Sequence, residues 1–184
     1  MTERRWTVVE MVKWTADYLS GKGVHNARLN AELLLSGVLG LKRLDLYLQF
    51  DRLLTSAEIA EFKARLRRRA RREPLQYIDG WAAFRQLRLA VDRRVLIPRP
   101  ETEQLVEAVL GWVGARQGLE GLDVGTGSGA IALALATEGP FRRVVATEPS
   151  ADALEVARGN HAALGGCGAP VEFRRGSAFA PVRG

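Results

Sequence analysis

Apolar side chains recur at helical spacing through the first third of the chain. The clearest of these repeats is the first one along the chain, and glycines end it. Asn26 lies where its side chain can cap a second helix. Further on, Thr55 and Glu58 have the spacing of a capping box at the start of a long helix, which Pro74 ends. These patterns predict a small helical bundle over residues 1–76.

After this bundle, apolar residues recur at every second position. Leu87, Leu89 and Val91 alternate with the residues between them, which is typical of short strands and predicts a β-hairpin linker over residues 77–97. Pro100 then suits the first turn of a helix, because its missing N–H group is one that a helix start leaves unpaired.

Strands and helices alternate in residues 98–184. Leu119–Val124 is a short apolar strand, a glycine-rich loop leads into a helix at Ala130, and a second strand and helix precede a third strand at Val171–Arg174. The order βαβαβ is typical of a parallel, doubly wound sheet. The fold class predicted is therefore α/β, with a helical bundle, a hairpin and a Rossmann-like βαβαβ sheet.

Composition narrows the class of protein. The chain has 184 residues, of which 47% are hydrophobic and 26% charged, as in ordinary globular proteins. The apolar run Ala130–Ala136 is far shorter than the roughly 20 residues that span a bilayer. Cys167 is the single cysteine and excludes an internal disulfide, and two histidines argue against a His/Cys metal site. We expect a cytoplasmic protein without membrane contact.

Positive charge is concentrated in the bundle. The net charge is +6, and residues 1–76, with 15 Lys and Arg against 9 Asp and Glu, account for all of it. The peak is the arginine-rich stretch 65–72 at the end of the long helix. Such a stretch suits either a solvated helix end or an acidic or nucleic-acid partner. Because no aromatic residue interleaves with these arginines, we expect no sequence-specific nucleic-acid site.

The loop after the first parallel strand contains the residues that indicate a ligand-binding site. Its pattern, G-x-G-x-G over residues 125–129, follows Asp123 at the end of that strand, and Glu148 ends the next strand. The spacing differs from the G-x-G-x-x-G of dinucleotide sites and from a phosphate-binding P-loop. A strand-end acid at this place can accept hydrogen bonds from ribose hydroxyls. The alternative is a tight structural turn with an unrelated strand-end acid. We expect Asn160 to anchor the neighbouring turn rather than to touch a ligand.

These residues resemble a known family. The stretches DVGTGSGAIALALA and ATEPSADALEVARGN resemble the S-adenosylmethionine site of class I methyltransferases. The segment IPRPETEQLVE, placed after EPLQYIDGWAAF, resembles the protein-(glutamine-N5) methyltransferases that modify peptide chain release factors. The resemblance implies that S-adenosyl-L-methionine is the cofactor, that a release factor is the protein substrate, and that the bundle binds this substrate.

The resemblance also implies roles for individual residues. Glycine-loop backbone groups would cradle the methionine part of the cofactor, Asp123 would orient the loop, and Glu148 would hold the ribose. The adenine segment of the family carries an acid and a large side chain where this chain has Ser177 and Ala178. The cofactor residues so implied are Asp123, Gly125, Thr126, Gly127, Ser128, Gly129, Glu148 and Ala178. Weaker candidates for the substrate mouth are Arg99, Glu101 and Glu103.

The catalytic motif of that family, Asn-Pro-Pro-Tyr, does not occur in the 184 residues. The resemblance places it beyond Gly184, so we expect this chain alone to be inactive and assign it no catalytic residue. Three alternatives stay open: a methyltransferase for another amide or for a nucleic-acid base, a non-catalytic binding fragment, and, least favoured by the glycine spacing, a nicotinamide-dependent oxidoreductase.

Overall fold

The computed structural model describes residues 5–166 and 168–182, so that Cys167 lies outside the described residues. The chain divides into two compact units, Met1–Asp79 and Gly80–Gly184. The first unit is helical. Its helices are α1 (Val8–Gly21), α2 (Ala27–Leu39), α3 (Asp45–Leu48), α4 (Ser56–Ala70) and α5 (Leu75–Asp79).

Capping boxes fix the starts of α1 and α4. The predicted box at α4 is confirmed: the Thr55 hydroxyl accepts from the Glu58 N–H, and the Glu58 carboxylate accepts from the Thr55 N–H. Thr7 and Glu10 form the same reciprocal pair at α1. The fully buried side chains of this unit include Leu19, Leu34, Leu35 and Phe62, which belong to a single apolar core.

The predicted cap at Asn26 is wrong in its mechanism. Asn26 precedes α2, but its backbone is left-handed, with φ of 52°, and its side chain makes no capping hydrogen bond. The buried Asn30 amide acts there instead, and donates to the carbonyl oxygens of His25 and Asn26, each at 3.0 Å. The side chain of Asn30 therefore holds the turn that precedes α2.

Most of the arginine-rich stretch is used inside the first unit. Arg65 pairs with Glu61 and Asp79, and Arg68 pairs with Glu73. Hydrogen bonds to uncharged acceptors join Arg69 to the Asn30 side chain at 2.6 Å and Arg72 to the Lys22 carbonyl at 3.0 Å. The local density of positive charge therefore has a structural use in joining α4 to its neighbours.

The second unit opens with an antiparallel hairpin of β1 (Trp81–Phe84) and β2 (Leu87–Ala90). The hairpin expected as a linker lies inside this compact unit. At its turn Arg85 has a φ of 52° and pairs with Glu138 and Glu107, each at 2.7 Å. Glu138, and then Glu107, raise the pKa of Arg85 above its usual value. The turn is thereby held by charged side chains.

A parallel sheet with helices forms the rest of the second unit. Its strands are hydrogen-bonded in the order β3-β4-β5, which confirms the predicted α/β class and the parallel sheet. Across the described part of the chain, no helix has the length and apolar character needed to cross a bilayer. The elements are α6 (Pro100–Val113), β3 (Leu119–Val124), α7 (Ala130–Glu138), β4 (Phe141–Glu148), α8 (Ala151–Ala163), β5 (Val171–Arg175) and a 3-10 turn (Ala180–Val182).

Candidate functional site

The glycine loop connects the end of β3 to the start of α7. Gly125, Gly127 and Gly129 have φ values of 79°, 54° and 86°, a region in which residues with a Cβ are strained. A Cβ on Gly125 or Gly127 would meet no atom within 4 Å, so the loop faces open space at both positions. On Gly129 it would lie 3.1 Å from Leu133 and 3.4 Å from Ala157, where the loop packs closely on its helices.

One carbonyl oxygen of β4 holds the start of this loop. The N–H groups of Gly125 and Thr126 both donate to the Thr147 carbonyl, at 2.8 and 3.0 Å. The fully buried Thr147 hydroxyl also donates to the Ala178 carbonyl at 3.2 Å. Thr147 thus joins the loop to the segment after β5. No residue pattern indicates this role of Thr147, because most of these bonds use backbone atoms.

Asp123 lies buried beneath the loop. Its Oδ2 accepts from the Thr126 hydroxyl at 2.6 Å and from the Ala132 N–H at 3.1 Å. Burial raises the pKa of this carboxyl, and the two hydrogen bonds oppose that shift. The contacts place Asp123 as a brace between the loop and the first turn of α7.

Glu148, at the carboxyl end of β4, contacts the same loop. One carboxylate oxygen accepts from the Gly127 N–H at 3.0 Å, and the other accepts from the Ser150 N–H at 3.1 Å. A carboxylate offers about four lone-pair positions, so each oxygen keeps one further acceptor position. Glu148 can therefore brace the loop and still accept hydrogen bonds from a ligand.

Backbone donors remain available where α7 begins. Within the described residues, the N–H groups of Ser128, Ala130 and Ile131 form no hydrogen bond. The first N–H groups of a helix lack partners inside the helix and attract acceptor groups of ligands. The loop therefore combines open space, unpaired donors and one accessible carboxylate.

Ala178 lies in the segment that follows β5. Its φ of 47° is unusual for a residue with a Cβ, and its carbonyl is the acceptor for Thr147. The next residue, Phe179, is half exposed, with 53% of its surface accessible. The Gly176 N–H donates to the Glu148 carbonyl at 3.0 Å, which places this segment beside the end of β4.

Asn160 of α8 connects the loop to the hairpin. Its side-chain Nδ2 donates to the Ser128 and Ala90 carbonyls at 2.9 and 3.0 Å, and its Oδ1 accepts from the Ala90 N–H at 2.7 Å. The side chain is almost fully buried. The predicted anchoring of the turn is confirmed, and the connection to β2 is additional.

The weaker candidates lie at the start of α6. Arg99 immediately precedes α6, while Glu101 and Glu103 lie in its first turn, where acidic side chains suit the positive end of the helix. Within the described residues, no hydrogen bond or ion pair connects these three side chains to the glycine loop. Their proposed place at a substrate mouth stays a prediction.

Comparisons with known proteins agree with this arrangement. Residues 10–80 match a family described as PrmC N-terminal domain, and residues 122–181 match one described as Methyltransferase domain. A release factor glutamine methyltransferase from Chlorobaculum tepidum is 48% identical over 169 residues, which covers 89% of this chain and 57% of that protein. One from Geobacter sulfurreducens is 45% identical over 184 residues, covering 99% of this chain and 63% of the relative.

Over most of its length the chain is similar to release factor glutamine methyltransferases. It spans about three fifths of the length of these two relatives. The first match lies almost wholly in the first unit of the chain, and the second match lies in the second unit. The glycine loop, Asp123 and Glu148 all fall within the second match, so the site described above belongs to the methyltransferase part.

Proposed function

We propose that this chain is the cofactor-binding part of an enzyme that transfers a methyl group from S-adenosyl-L-methionine to the side-chain amide nitrogen of a glutamine in a peptide chain release factor. The observation that carries the proposal is the identity of 48% and 45% to release factor glutamine methyltransferases across both units of the chain. The geometry of the glycine loop supports the cofactor half of it.

The residues at the loop fit such a cofactor. S-adenosyl-L-methionine supplies a methyl group on a positively charged sulfur, which a nucleophile can attack. Gly125 and Gly127 leave space that any Cβ would fill, so the amino-acid part of a ligand can approach the backbone there. The remaining acceptor positions of Glu148 suit a pair of ribose hydroxyls, while Asp123 keeps the loop in place.

The substrate half of the reaction requires groups that orient an amide. A carboxamide nitrogen is a weak nucleophile because its lone pair is delocalised, so its N–H groups must be bound and aimed at the methyl group. The family resemblance assigns this task to Asn-Pro-Pro-Tyr, which the 184 residues do not contain. We expect the 184-residue chain, mixed with release factor and labelled cofactor, to leave the glutamine unlabelled. Stoichiometric labelling would contradict this expectation.

A chimera tests the proposed function directly. Residues 1–184 would replace the matching part of the Chlorobaculum tepidum relative, so that the remainder of that protein completes the methyltransferase domain. We expect methylation of the release factor glutamine, identified by mass spectrometry, and its loss in the same chimera with Glu148→Ala. Methylation of a nucleic-acid base instead would favour that alternative, and cofactor binding without any transfer would favour a binding fragment.

Glu148 is tested by calorimetry with S-adenosyl-L-methionine on the same chimera. Glu148→Ala should weaken binding about tenfold or more, because hydrogen bonds to a charged acceptor contribute ~1.5–3 kcal/mol. Glu148→Gln keeps an acceptor for the Gly127 N–H and separates bracing of the loop from the charge. The matched control is Asp152→Ala, an exposed acid in the first turn of α8. Unchanged binding in Glu148→Ala would assign this acid a structural role only, and nicotinamide dinucleotide should not compete.

A further inference from the structure

A cavity of about 650 Å³ lies in the first unit, remote in sequence from the glycine loop. Its apolar lining includes Trp6, Leu54 and Ile59. Three basic residues, Arg5, Lys63 and Arg67, also line the cavity. The cavity therefore pairs an apolar wall with three positive charges.

Backbone pairing builds this cavity. The Leu54 N–H donates to the Trp6 carbonyl at 2.9 Å, and Thr7 forms an antiparallel bridge with Leu53. These bonds hold Trp6 and Leu54 side by side where α4 begins. On α4, Ile59, Lys63 and Arg67 follow each other at intervals of four residues, which places them along one face of the helix.

Within the described residues, the positive charges of the cavity have no acidic partner. The side chains of Arg5, Lys63 and Arg67 form no ion pair or hydrogen bond there, in contrast to most arginine side chains of α4. The nearby carboxylates are engaged elsewhere, since Glu58 is bound by Thr55 and Arg52, and Glu61 by Arg65. Like charges held close together repel, so an anionic ligand would relieve this repulsion.

The neighbouring aromatic side chains argue against nucleic acid as that ligand. Trp6 meets Trp14 edge to face at 5.8 Å, and the Trp14 and Tyr18 rings are stacked at 5.4 Å with only 4° between their planes. Proteins that bind single strands stack bases on open aromatic faces. Here Trp14 and Tyr18 stack on each other and Trp6 packs against Trp14, and among the described residues Trp6 is the one aromatic side chain that lines the cavity beside the cations.

We propose that this cavity is a docking site for an acidic segment of a protein partner, with one apolar side chain flanked by Asp or Glu. The apolar side chain would lie against Trp6, Leu54 and Ile59, and the carboxylates would pair with Lys63 and Arg67. A cavity of this size accommodates a bulky side chain with its adjoining backbone. The proposal concerns the first unit and does not depend on methyl transfer.

Fluorescence anisotropy tests it on the 184-residue chain. The probe is a labelled synthetic peptide in which a central Leu is flanked by Asp and Glu, and the comparison peptide has Ser in place of Leu. We expect tighter binding of the Leu peptide, and weakening by about tenfold when Lys63→Glu and Arg67→Glu reverse the charges. Lys42→Glu makes the same change on an exposed lysine that does not line the cavity, and should alter binding less than about twofold.

A second variant fills the cavity without changing charge. Ala60 lines the cavity on α4, so Ala60→Phe should block the peptide, whereas Ala64→Phe on the same helix should not. The proposal is wrong if the Leu peptide does not bind, if the Ser peptide binds equally well, or if cavity variants and controls behave alike. It is also wrong if a single-stranded RNA of equal charge binds more tightly than the Leu peptide.

Discussion

At the residue scale, Asn160 shows how a single buried amide organises the candidate site. Its three hydrogen bonds join α8 to the Ser128 carbonyl in the glycine loop and to both backbone groups of Ala90 in the hairpin. Backbone groups left without partners in a protein interior cost about 1–3 kcal/mol each. The loop geometry is therefore coupled to a hairpin that is distant in sequence.

Asn160→Ala should destabilise the second unit by about 3 kcal/mol or more, because it leaves three backbone groups without their partner at a cost of roughly 1 kcal/mol or more each. Urea unfolding followed by circular dichroism measures the change. Asn160→Asp keeps the acceptor for the Ala90 N–H but turns a carboxylate towards two carbonyl oxygens, so its cost should increase as pH rises and the introduced group ionises. Gln104→Ala removes an exposed amide from α6 and serves as the control. A loss no larger than that of the control would contradict the role assigned to Asn160.

At the scale of elements, the helix starts show what local sequence decides. Thr55 and Glu58 lie three residues apart, and their reciprocal hydrogen bonds need no partner from elsewhere in the fold. The pattern therefore predicts the start of α4 correctly. Asn26 has an equally favourable side chain, but its left-handed backbone points that side chain away from a capping role. A residue type predicts a cap only where the backbone permits it.

Glu58→Ala should destabilise the first unit by about 1 kcal/mol at neutral pH, the usual contribution of a cap. The Thr55 N–H, followed by Arg52, holds the pKa of the Glu58 carboxyl below its usual value. A group with a lowered pKa contributes stability above its unfolded pKa and loses it as pH falls through the folded one. The difference between variant and wild type should therefore shrink as the medium becomes acidic.

Thermal unfolding over a series of pH values measures this difference. Asp17→Ala, which removes an exposed acid from α1, is the control and should change stability little at any pH. A Glu58→Ala deficit that stays constant down to strongly acidic pH would show that the carboxylate charge does not contribute.

Contacts between distant residues set the limit of sequence-based prediction. The alternation of strands and helices, the glycine spacing and the strand-end acids at 123 and 148 are local signals, and they predict the β3-β4-β5 sheet. The pairing of Asn160 with Ala90 spans 70 residues, and the bond from Gly127 to Glu148 spans 21. No local pattern encodes these bonds, because they depend on how the elements pack.

At the scale of the whole molecule, the two units differ in how their central elements are protected. In the first unit, Leu34 and Leu35 of α2 are fully buried in the apolar core. In the second, β3 pairs with β4 on one side only within the described residues, and Leu122 and Val124 are each 42% exposed. An edge strand with exposed apolar side chains opens more readily than a buried helix.

Native-state hydrogen exchange on the purified 184-residue chain tests this difference. The amides of Leu119–Val124 should exchange much faster than those of residues 33–35, because opening an edge strand exposes less buried surface than opening α2. Size-exclusion chromatography ensures that the measured species is a monomer. Equally strong protection of both segments in that monomer would show that the sheet is as stable as the bundle.

The Thr147 carbonyl, which accepts two hydrogen bonds from the glycine loop, has a consequence for the thermodynamics of binding. Because two consecutive N–H groups of the loop share its carbonyl, and Glu148 holds a third, the backbone conformation around Gly125 and Gly127 is fixed without any ligand. A loop that is already ordered loses little conformational entropy when a ligand arrives. Little of the free energy that a ligand gains from contacts with this backbone is then spent on ordering the loop, because strand β4 already holds the loop in place.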